Sequence, residues 1–297
     1  MNEKIKGLIA LSLTLIFWSL SVVISRAIIH EFSAFAFLFI RLIVATLAFL
    51  PFIIKRKVWR HPRFNLLLIV SLTFMVNMTF FVLGIQFTSA SASQMIYGAT
   101  PILIVIIGMI FLKEKYSLGR IMGVIIGLLG IIMIFYFSVL ERGLTISGSL
   151  RGNLLIGIAV VGWIAYMLIT KKVLKIFSAI DTSSISIMLS LLLSAPFFVY
   201  EEFSINSNFN FSTTAWLGII FVGFFGTFIT YILHQYALSR LSALTTSFTT
   251  YIQPISTAFL EIIFLKAKLT PGFLFGGLLV FSGVFLATTI ELLQKRN

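Results

Sequence analysis

Charged residues are scarce in this sequence. They make up 10% of the 297 residues, whereas an ordinary soluble domain carries about a quarter. Cysteine is absent, which excludes a disulfide framework, a thiol nucleophile and a cysteine-ligated metal site. The three histidines have no metal-like spacing and no Walker-type phosphate loop occurs, so we expect neither a metal ion nor a cofactor.

The residues that are present are mostly apolar. The hydrophobic fraction is 59% and the mean hydropathy is +1.10. Together with 32 phenylalanines and 20 glycines, this composition is typical of membrane helices. The net charge of +13 comes from basic residues between the apolar runs. We interpret them as charges that anchor loops at a membrane surface, so the expected partners are the lipid bilayer and a small-molecule substrate, with no nucleic acid.

Ten apolar runs have about the 20 residues that a helix needs to cross a bilayer. They fall at about 5–26, 33–54, 65–87, 90–112, 118–138, 152–171, 182–200, 214–238, 243–265 and 271–293. Backbone polar groups in lipid must be satisfied within one segment, so the runs are predicted to be helices 1 to 10 of an all-α integral membrane protein. No cleavage site follows the first run, which is therefore a membrane helix rather than a signal peptide.

The loops differ in charge on the two sides of the predicted membrane. With the N-terminus inside, 16 of the 22 basic residues lie in inner loops and five in outer loops. This bias predicts that both termini are cytoplasmic and that the protein is a multi-pass protein of the plasma (cytoplasmic) membrane.

The second half of the chain repeats the first. Residues 101–130 and 254–283 align without a gap and share 10 of 30 positions. At an offset of 145, further matches are Trp18 with Trp163, Ser33 with Ser178 and Pro51 with Pro196. Each repeat has five predicted spans, an odd number, so the second copy should lie inverted in the membrane. We predict a first repeat over 1–140, a linker over 141–151 and a second repeat over 152–297.

The chain resembles the EamA-type transporters of the drug/metabolite transporter superfamily. The resemblance rests on Trp18, Trp163 and Arg41, on the segments GIQFTSASASQMIYGATP and ALSRLSALTTSFTTYIQP, and on FLKEK followed by spaced glycines. It implies a fold of ten helices that moves small organic solutes and often exports amino acids, metabolites or toxic compounds. It also implies that helices 1–4 and 6–9 surround a cavity, while helices 5 and 10 are peripheral and support dimers.

Away from the ends of the predicted spans, where a charge costs at least about 2.5 kcal/mol, the sequence has two charged residues. Arg41 lies in helix 2 and Glu261 in helix 9, both toward the outside. One hypothesis is an outer gate or substrate clamp, in which Arg41 binds a carboxylate and Glu261 an amine or a proton. The alternatives are a structural ion pair, or a Glu261 that reaches outward to Lys266 and Lys268.

Polar and aromatic residues recur at matching positions of helices 1–4 and 6–9. They are interpreted as cavity lining, with ordinary helix packing as the alternative. This set comprises Trp18, Arg41, Asn77, Phe81, Gln94, Tyr97, Pro101, Trp163, Tyr166, Thr230, His234, Thr250, Tyr251 and Pro254. Pro101 and Pro254 each leave a carbonyl one turn earlier without its helical donor, and neighbouring Ser or Thr hydroxyls can compensate.

Spaced glycines mark helices 5 and 10. They are Gly119, Gly123, Gly127 and Gly130, with Gly272, Gly276 and Gly283 in the second repeat. Faces of small residues at this spacing predict close helix packing. A homodimer through helices 5 and 10 is a further expectation.

These observations predict a secondary transporter, independent of ATP, that exports a small organic solute by alternating access. The alternatives are a channel-like facilitator and an importer of an amine or a nucleoside. Paired catalytic residues near an interface are lacking, so an enzyme is not expected.

Overall fold

The computed structural model describes residues 2–85, 87, 93, 96–111, 113–142, 150–205, 211–265 and 271–294. Within these ranges the chain forms helices and turns and no strand. The helices are α1 Glu3–Ile28, α2 Ala34–Arg56, α3 Asn65–Ile85, α4 Thr100–Phe111, α5 Leu118–Arg142, α6 Leu150–Val173, α7 Ala179–Ile205, α8 Thr213–Arg240, α9 Thr249–Leu265 and α10 Pro271–Gln294. A short helix, Ala243–Ser247, precedes α9, and α8 contains a π-helical turn at Phe224–Ile229.

Six of these helices are long and apolar enough to cross a membrane. They are α1, α2, α3, α6, α7 and α8, while α4, α5 and α10 contain shorter apolar stretches. The protein is therefore an all-helical, multi-pass membrane protein. The spans predicted for α4, α5, α9 and α10 remain predictions.

Serine side chains begin equivalent helices in the two halves. Ser33 Oγ accepts a hydrogen bond from the backbone N–H of Ala36 at the start of α2, at 3.2 Å. Ser178 Oγ accepts the equivalent bond from Asp181 N at the start of α7, also at 3.2 Å. An N-terminal serine cap satisfies one of the N–H groups that a helix leaves unpaired. This explains why the two serines match at an offset of 145.

The packing of the helices has an internal symmetry. Helix α1 packs against α8 and α9, and their counterparts α6, α3 and α4 pack in the same way. Likewise, α2 packs against α7 and α8, while α7 packs against α2 and α3. Exchanging each helix of the first half with its counterpart therefore preserves these contacts.

Two polar contacts, one at each end of the pair, show that α2 and its counterpart α7 run in opposite directions. At one end Arg56 forms a two-pronged ion pair with Asp181, with Nε–Oδ1 and Nη2–Oδ2 distances of 2.5 and 3.0 Å. At the other end the Glu201 carboxylate accepts a hydrogen bond from Phe35 N at 2.7 Å. Arg56 and Glu201 match at an offset of 145, so these two contacts occupy equivalent places in the two halves. The start of each helix meets the end of the other, which is an antiparallel pair.

Helices α5 and α10 are also antiparallel and approach closely through their glycines. A Cβ atom at Gly283 would lie 2.5 Å from both Gly123 O and Gly127 N, and one at Gly130 would lie 2.7 Å from Gly276 O. The close packing predicted from the glycine spacing is confirmed. The structure adds that the partner of each glycine face is the equivalent face of the other half.

Residues at the helix ends pair in two groups, one at each end of the bundle. Glu3 at the start of α1 bonds Arg240 at the end of α8, with an Nε–Oε2 distance of 2.8 Å. At the opposite end Glu31 accepts hydrogen bonds from the backbone N–H and the hydroxyl of Ser212, both at 2.7 Å. These bonds favour the ionised form and lower the pKa of the Glu31 carboxyl. Each contact joins two residues that the distribution of basic residues between the loops predicts to lie on the same side of the membrane.

The predicted linker is helical at both of its ends. Helix α5 continues to Arg142 and α6 begins at Leu150, while 143–149 lie outside the described residues. The division into two domains stays a prediction.

Candidate functional site

The tryptophans at equivalent positions of the two halves meet inside the bundle. The ring centroids of Trp18 in α1 and Trp163 in α6 lie 5.9 Å apart in an edge-to-face arrangement. The imidazole of His234 in α8 lies 5.2 Å from each indole. Because the two tryptophans are counterparts, their contact lies near the axis that relates the halves.

Three more rings extend this contact. The Tyr231 ring lies 5.8 Å from Trp18 and 5.1 Å from Phe74. The Tyr166 ring lies 5.6 Å from Trp163 and 5.1 Å from Phe74. We define the central aromatic cluster as Trp18, Phe74, Trp163, Tyr166, Tyr231 and His234. It is built from α1, α3, α6 and α8. The Trp18–Trp163, Trp18–Tyr231 and Phe74–Tyr231 pairs are edge to face, an arrangement that aromatic rings favour.

A glycine allows α6 to lie close to α3 beside the cluster. A Cβ atom at Gly162 would lie 2.8 Å from the backbone nitrogen of Asn77. The side chain of Asn77 uses this proximity, because its Nδ2 donates to Ala159 O at 2.9 Å and to the Tyr97 hydroxyl at 2.6 Å. The Tyr97 ring in turn packs edge to face on Phe81, 5.9 Å away. Asn77, Phe81 and Tyr97 therefore form a second group that links α3, α6 and the segment just before α4.

Several buried polar atoms of the central aromatic cluster have no hydrogen-bond partner among the described residues. They are both ring nitrogens of His234 and the indole nitrogen of Trp163, with the neighbouring Gln235 Oε1. Gln235 is fully buried, and its Nε2 donates to the Tyr166 hydroxyl at 2.6 Å. A buried polar group without a partner costs about 1–3 kcal/mol. Such a concentration of donors and acceptors is suited to a polar ligand.

Arg41 lies next to this cluster but contacts a different residue. Its Nε and Nη2 donate to Thr227 Oγ1 of α8 at 3.3 and 3.0 Å. Thr227 lies in the π-helical turn, and its hydroxyl donates to Val222 O at 3.0 Å. Tyr231 of the central aromatic cluster follows Thr227 by four residues, about one turn of α8. The structure therefore places Arg41 between the π-helical turn and the central aromatic cluster.

Other predicted lining residues bond elsewhere. The Tyr251 hydroxyl donates to Val124 O of α5 at 3.0 Å, and its ring covers Gly127. The hydroxyls of Thr230 and Thr250 donate to backbone carbonyls of Phe225 and Ser247, at 2.5 and 2.8 Å. These three side chains contact neighbouring helices or their own backbone.

The two prolines differ in position. Pro101 lies at the start of α4, and the Thr100 hydroxyl donates to Tyr97 O at 2.6 Å. That carbonyl is the one left without its helical donor by Pro101, so the predicted compensation is confirmed there. Pro254 lies inside α9. Gln94 and the side chain of Glu261 lie outside the described residues, so their predicted roles stay predictions.

Sequence reasoning missed Phe74, Thr227, Tyr231 and Gln235. Gln235 had a detectable signal, because a buried amide inside an apolar span is uncommon and marks a specific bond. Phe74 and Tyr231 had none, since rings are frequent in every span of this chain. No group of three or more His, Asp or Glu side chains suited to a metal ion occurs among the described residues.

Comparison with known proteins shows which family has this architecture. The model of the EamA-like transporter family matches the chain twice, over residues 5–136 and 150–289. An uncharacterized transporter of Archaeoglobus fulgidus is 26% identical over 284 residues, covering 95% of this chain and 98% of the relative. The uncharacterized transporter YoaV of Bacillus subtilis is 24% identical over 94% of both chains.

The fold is also found in a solved crystal structure. That protein superposes with a TM-score of 0.79 and 13% identity, covering 96% of each chain. Since the family model accounts for both halves and nearly the whole length, the chain belongs to the EamA-like transporter family.

Proposed function

We propose that this protein is a secondary transporter of the plasma membrane that exports a small organic solute by alternating access. The observation that carries the proposal is the symmetric packing of the two halves around Trp18 and Trp163. When two copies of one fold pack in this way, each can take the arrangement of the other. Such an exchange moves the opening of a central site from one side of the membrane to the other.

The proposal includes ten spans, two inverted repeats and cytoplasmic termini. The antiparallel pairs α2–α7 and α5–α10 support the inversion. The excess of basic residues in the loops assigned to the inside supports the orientation. Because the glycine faces of α5 and α10 contact each other within one chain, a homodimer through these helices would use their outward faces. Exposed side chains there include Leu129, Tyr136, Phe275, Leu278 and Phe285.

Solute exchange in proteoliposomes tests this function. Vesicles containing the purified protein are loaded with unlabelled amino acids, amines, nucleosides or organic acids, and entry of the same labelled solute is measured without ATP. We expect one class to enter faster when the unlabelled solute is present inside, because a carrier returns faster when loaded. Entry that is insensitive to the inside solute would indicate a channel-like facilitator, and no protein-dependent entry of any class would refute transport of these solutes.

A further inference from the structure

Arg41 carries a positive charge with no negative partner among the described residues. Its guanidinium hydrogen bonds are to the neutral hydroxyl of Thr227. The described carboxylates lie at helix ends and contact other groups: Glu3 with Lys6 and Arg240, Glu31 with Ser212, Glu114 with Tyr116, Asp181 with Arg56, Glu201 with Phe35 and Glu202 with Ser33. A charge inside a membrane span is costly unless an opposite charge or water compensates it. A binding partner of Arg41 should therefore be an anion.

The π-helical turn places Thr227 where it can hold the guanidinium. Both Thr227 and Thr230 donate their hydroxyl hydrogens to carbonyls five residues earlier, Val222 and Phe225. With its hydrogen used in this way, Thr227 Oγ1 offers only lone pairs to Arg41. One hydroxyl oxygen shared by two guanidinium nitrogens is a weaker acceptor than a carboxylate, which can accept two parallel charge-assisted bonds. An incoming carboxylate can therefore displace Thr227.

A surface for the organic part of the ligand adjoins this charge. Tyr231 lies four residues after Thr227 in α8, about one helical turn away, and contacts both Trp18 and Phe74. Next along the central aromatic cluster are the unpartnered nitrogens of His234 and Trp163. The order from Arg41 inward is thus a cation, aromatic rings, and neutral donors and acceptors. This arrangement matches a solute with an acid group at one end and an apolar or unsaturated body.

From this arrangement we propose that Arg41 binds a carboxylate group of the transported solute, and that Thr227 holds the guanidinium while the site is empty. The assignment rests on the proposed transport function and narrows its substrate to organic acids. Arg41 acts through its planar fork, so lysine should replace it only in part.

A series of ligands that share one skeleton tests the assignment. The purified full-length protein is titrated by calorimetry with 3-phenylpropionate, 3-phenylpropionamide and 3-phenylpropylamine, and with the corresponding six-carbon aliphatic acid, amide and amine. We expect the acid to bind about tenfold or more tightly than its amide, the amine being weakest, in at least one skeleton. The substitution R41Q should remove the difference between acid and amide, and R41K should retain part of it.

Matched variants separate this site from general charge effects. Lys55→Gln removes one positive charge at the exposed end of the same helix and should leave the preference for the acid unchanged. Thr227→Val removes the competing acceptor, so the acid should bind at least as tightly as to the wild type. If Glu261 were the permanent partner of Arg41, the wild type would show no preference and Glu261→Gln would create one.

The proposal is overturned if neither acid binds up to about 10 mM, if acid and amide bind equally, or if R41Q keeps the preference. The exchange assay distinguishes failure of the carboxylate site from failure of the transport function. Exchange of amines but not acids would leave transport intact and refute the carboxylate site. Arg41-dependent binding of acids without exchange would support the site and refute the transport function.

Discussion

Replacing Gly283 by alanine is expected to destabilise the protein by about 3 kcal/mol. The new Cβ would lie 2.5 Å from Gly123 O and Gly127 N, which are backbone atoms of α5. A backbone cannot move aside as a flexible side chain can, so α5 and α10 would have to separate. Because membrane helices associate through close packing rather than through hydrophobic burial, this separation removes most of what holds α10 in place. Thermal unfolding in detergent measures the loss.

Gly277 in the same helix provides the control. A Cβ atom there would contact nothing within 4 Å. Alanine at this position should leave stability unchanged or raise it by up to about 1 kcal/mol, because glycine in a helix is entropically unfavourable. Equal effects of the two substitutions would mean that the glycine face does not hold α5 against α10.

Replacing His234 by phenylalanine should raise stability by about 1 kcal/mol while reducing solute exchange by about tenfold or more. The imidazole is fully buried, and neither nitrogen has a partner among the described residues. A phenyl ring keeps the contacts with Trp18 and Trp163 and removes two unsatisfied polar groups. The equivalent position of the other half already carries phenylalanine, Phe81. Unpaired polar groups lower stability, and proteins keep them where they serve function. We therefore expect a bound ligand to supply the hydrogen bonds that the His234 nitrogens lack.

Unfolding midpoints and exchange rates of the same preparations give both readouts. His30→Gln, at an exposed turn outside the spans, controls for the loss of a histidine and should change neither. A phenylalanine variant that is less stable than the wild type and exchanges solute normally would show that His234 serves packing alone.

Much of the fold could be predicted because membrane helices leave strong traces in sequence. Apolar runs of bilayer length located eight of the ten helices to within a few residues. The runs predicted at 90–112 and 243–265 were wrong as continuous helices, because turn residues interrupt them at Gly98–Ala99 and at Phe248. Matched residues such as Trp18 and Trp163 identified positions that the structure brings into contact.

The segment after predicted helix 2 is basic (Lys55, Arg56 and Lys57), whereas the matching segment after helix 7 is acidic (Glu201 and Glu202). This reversal of charge is what opposite orientations of the two repeats predict. The structure shows the local role of these charges as well, since Glu201 caps α2 while Arg56 binds Asp181 at the start of α7.

Which side of each helix faces the interior of the bundle was less predictable. In a soluble helix the apolar stripe marks the core, but a membrane helix is apolar all round and gives little sign of which side faces inward. Tyr251, for example, was predicted to line the cavity, and in the structure its hydroxyl bonds Val124 O of α5; its role in binding a solute stays a prediction. The π-helical turn that presents Thr227 to Arg41 is also invisible in sequence, because it depends on the register of hydrogen bonds rather than on composition.

Alternating exposure of the two halves is the central claim. Labelling of single cysteines placed at equivalent positions of the two halves tests it most directly. The sequence lacks cysteine, so single thiols can be placed at Ala99 and Ile252, which are counterparts at an offset of 153 and are both partly exposed. In two separate single-cysteine variants, an impermeant thiol reagent is applied to Ala99→Cys from the side of the predicted outer loops and to Ile252→Cys from the side of the predicted inner loops, with and without saturating solute on one side. The account predicts that a condition which increases labelling at one position decreases it at the other. Labelling that rises or falls at both positions together would contradict it.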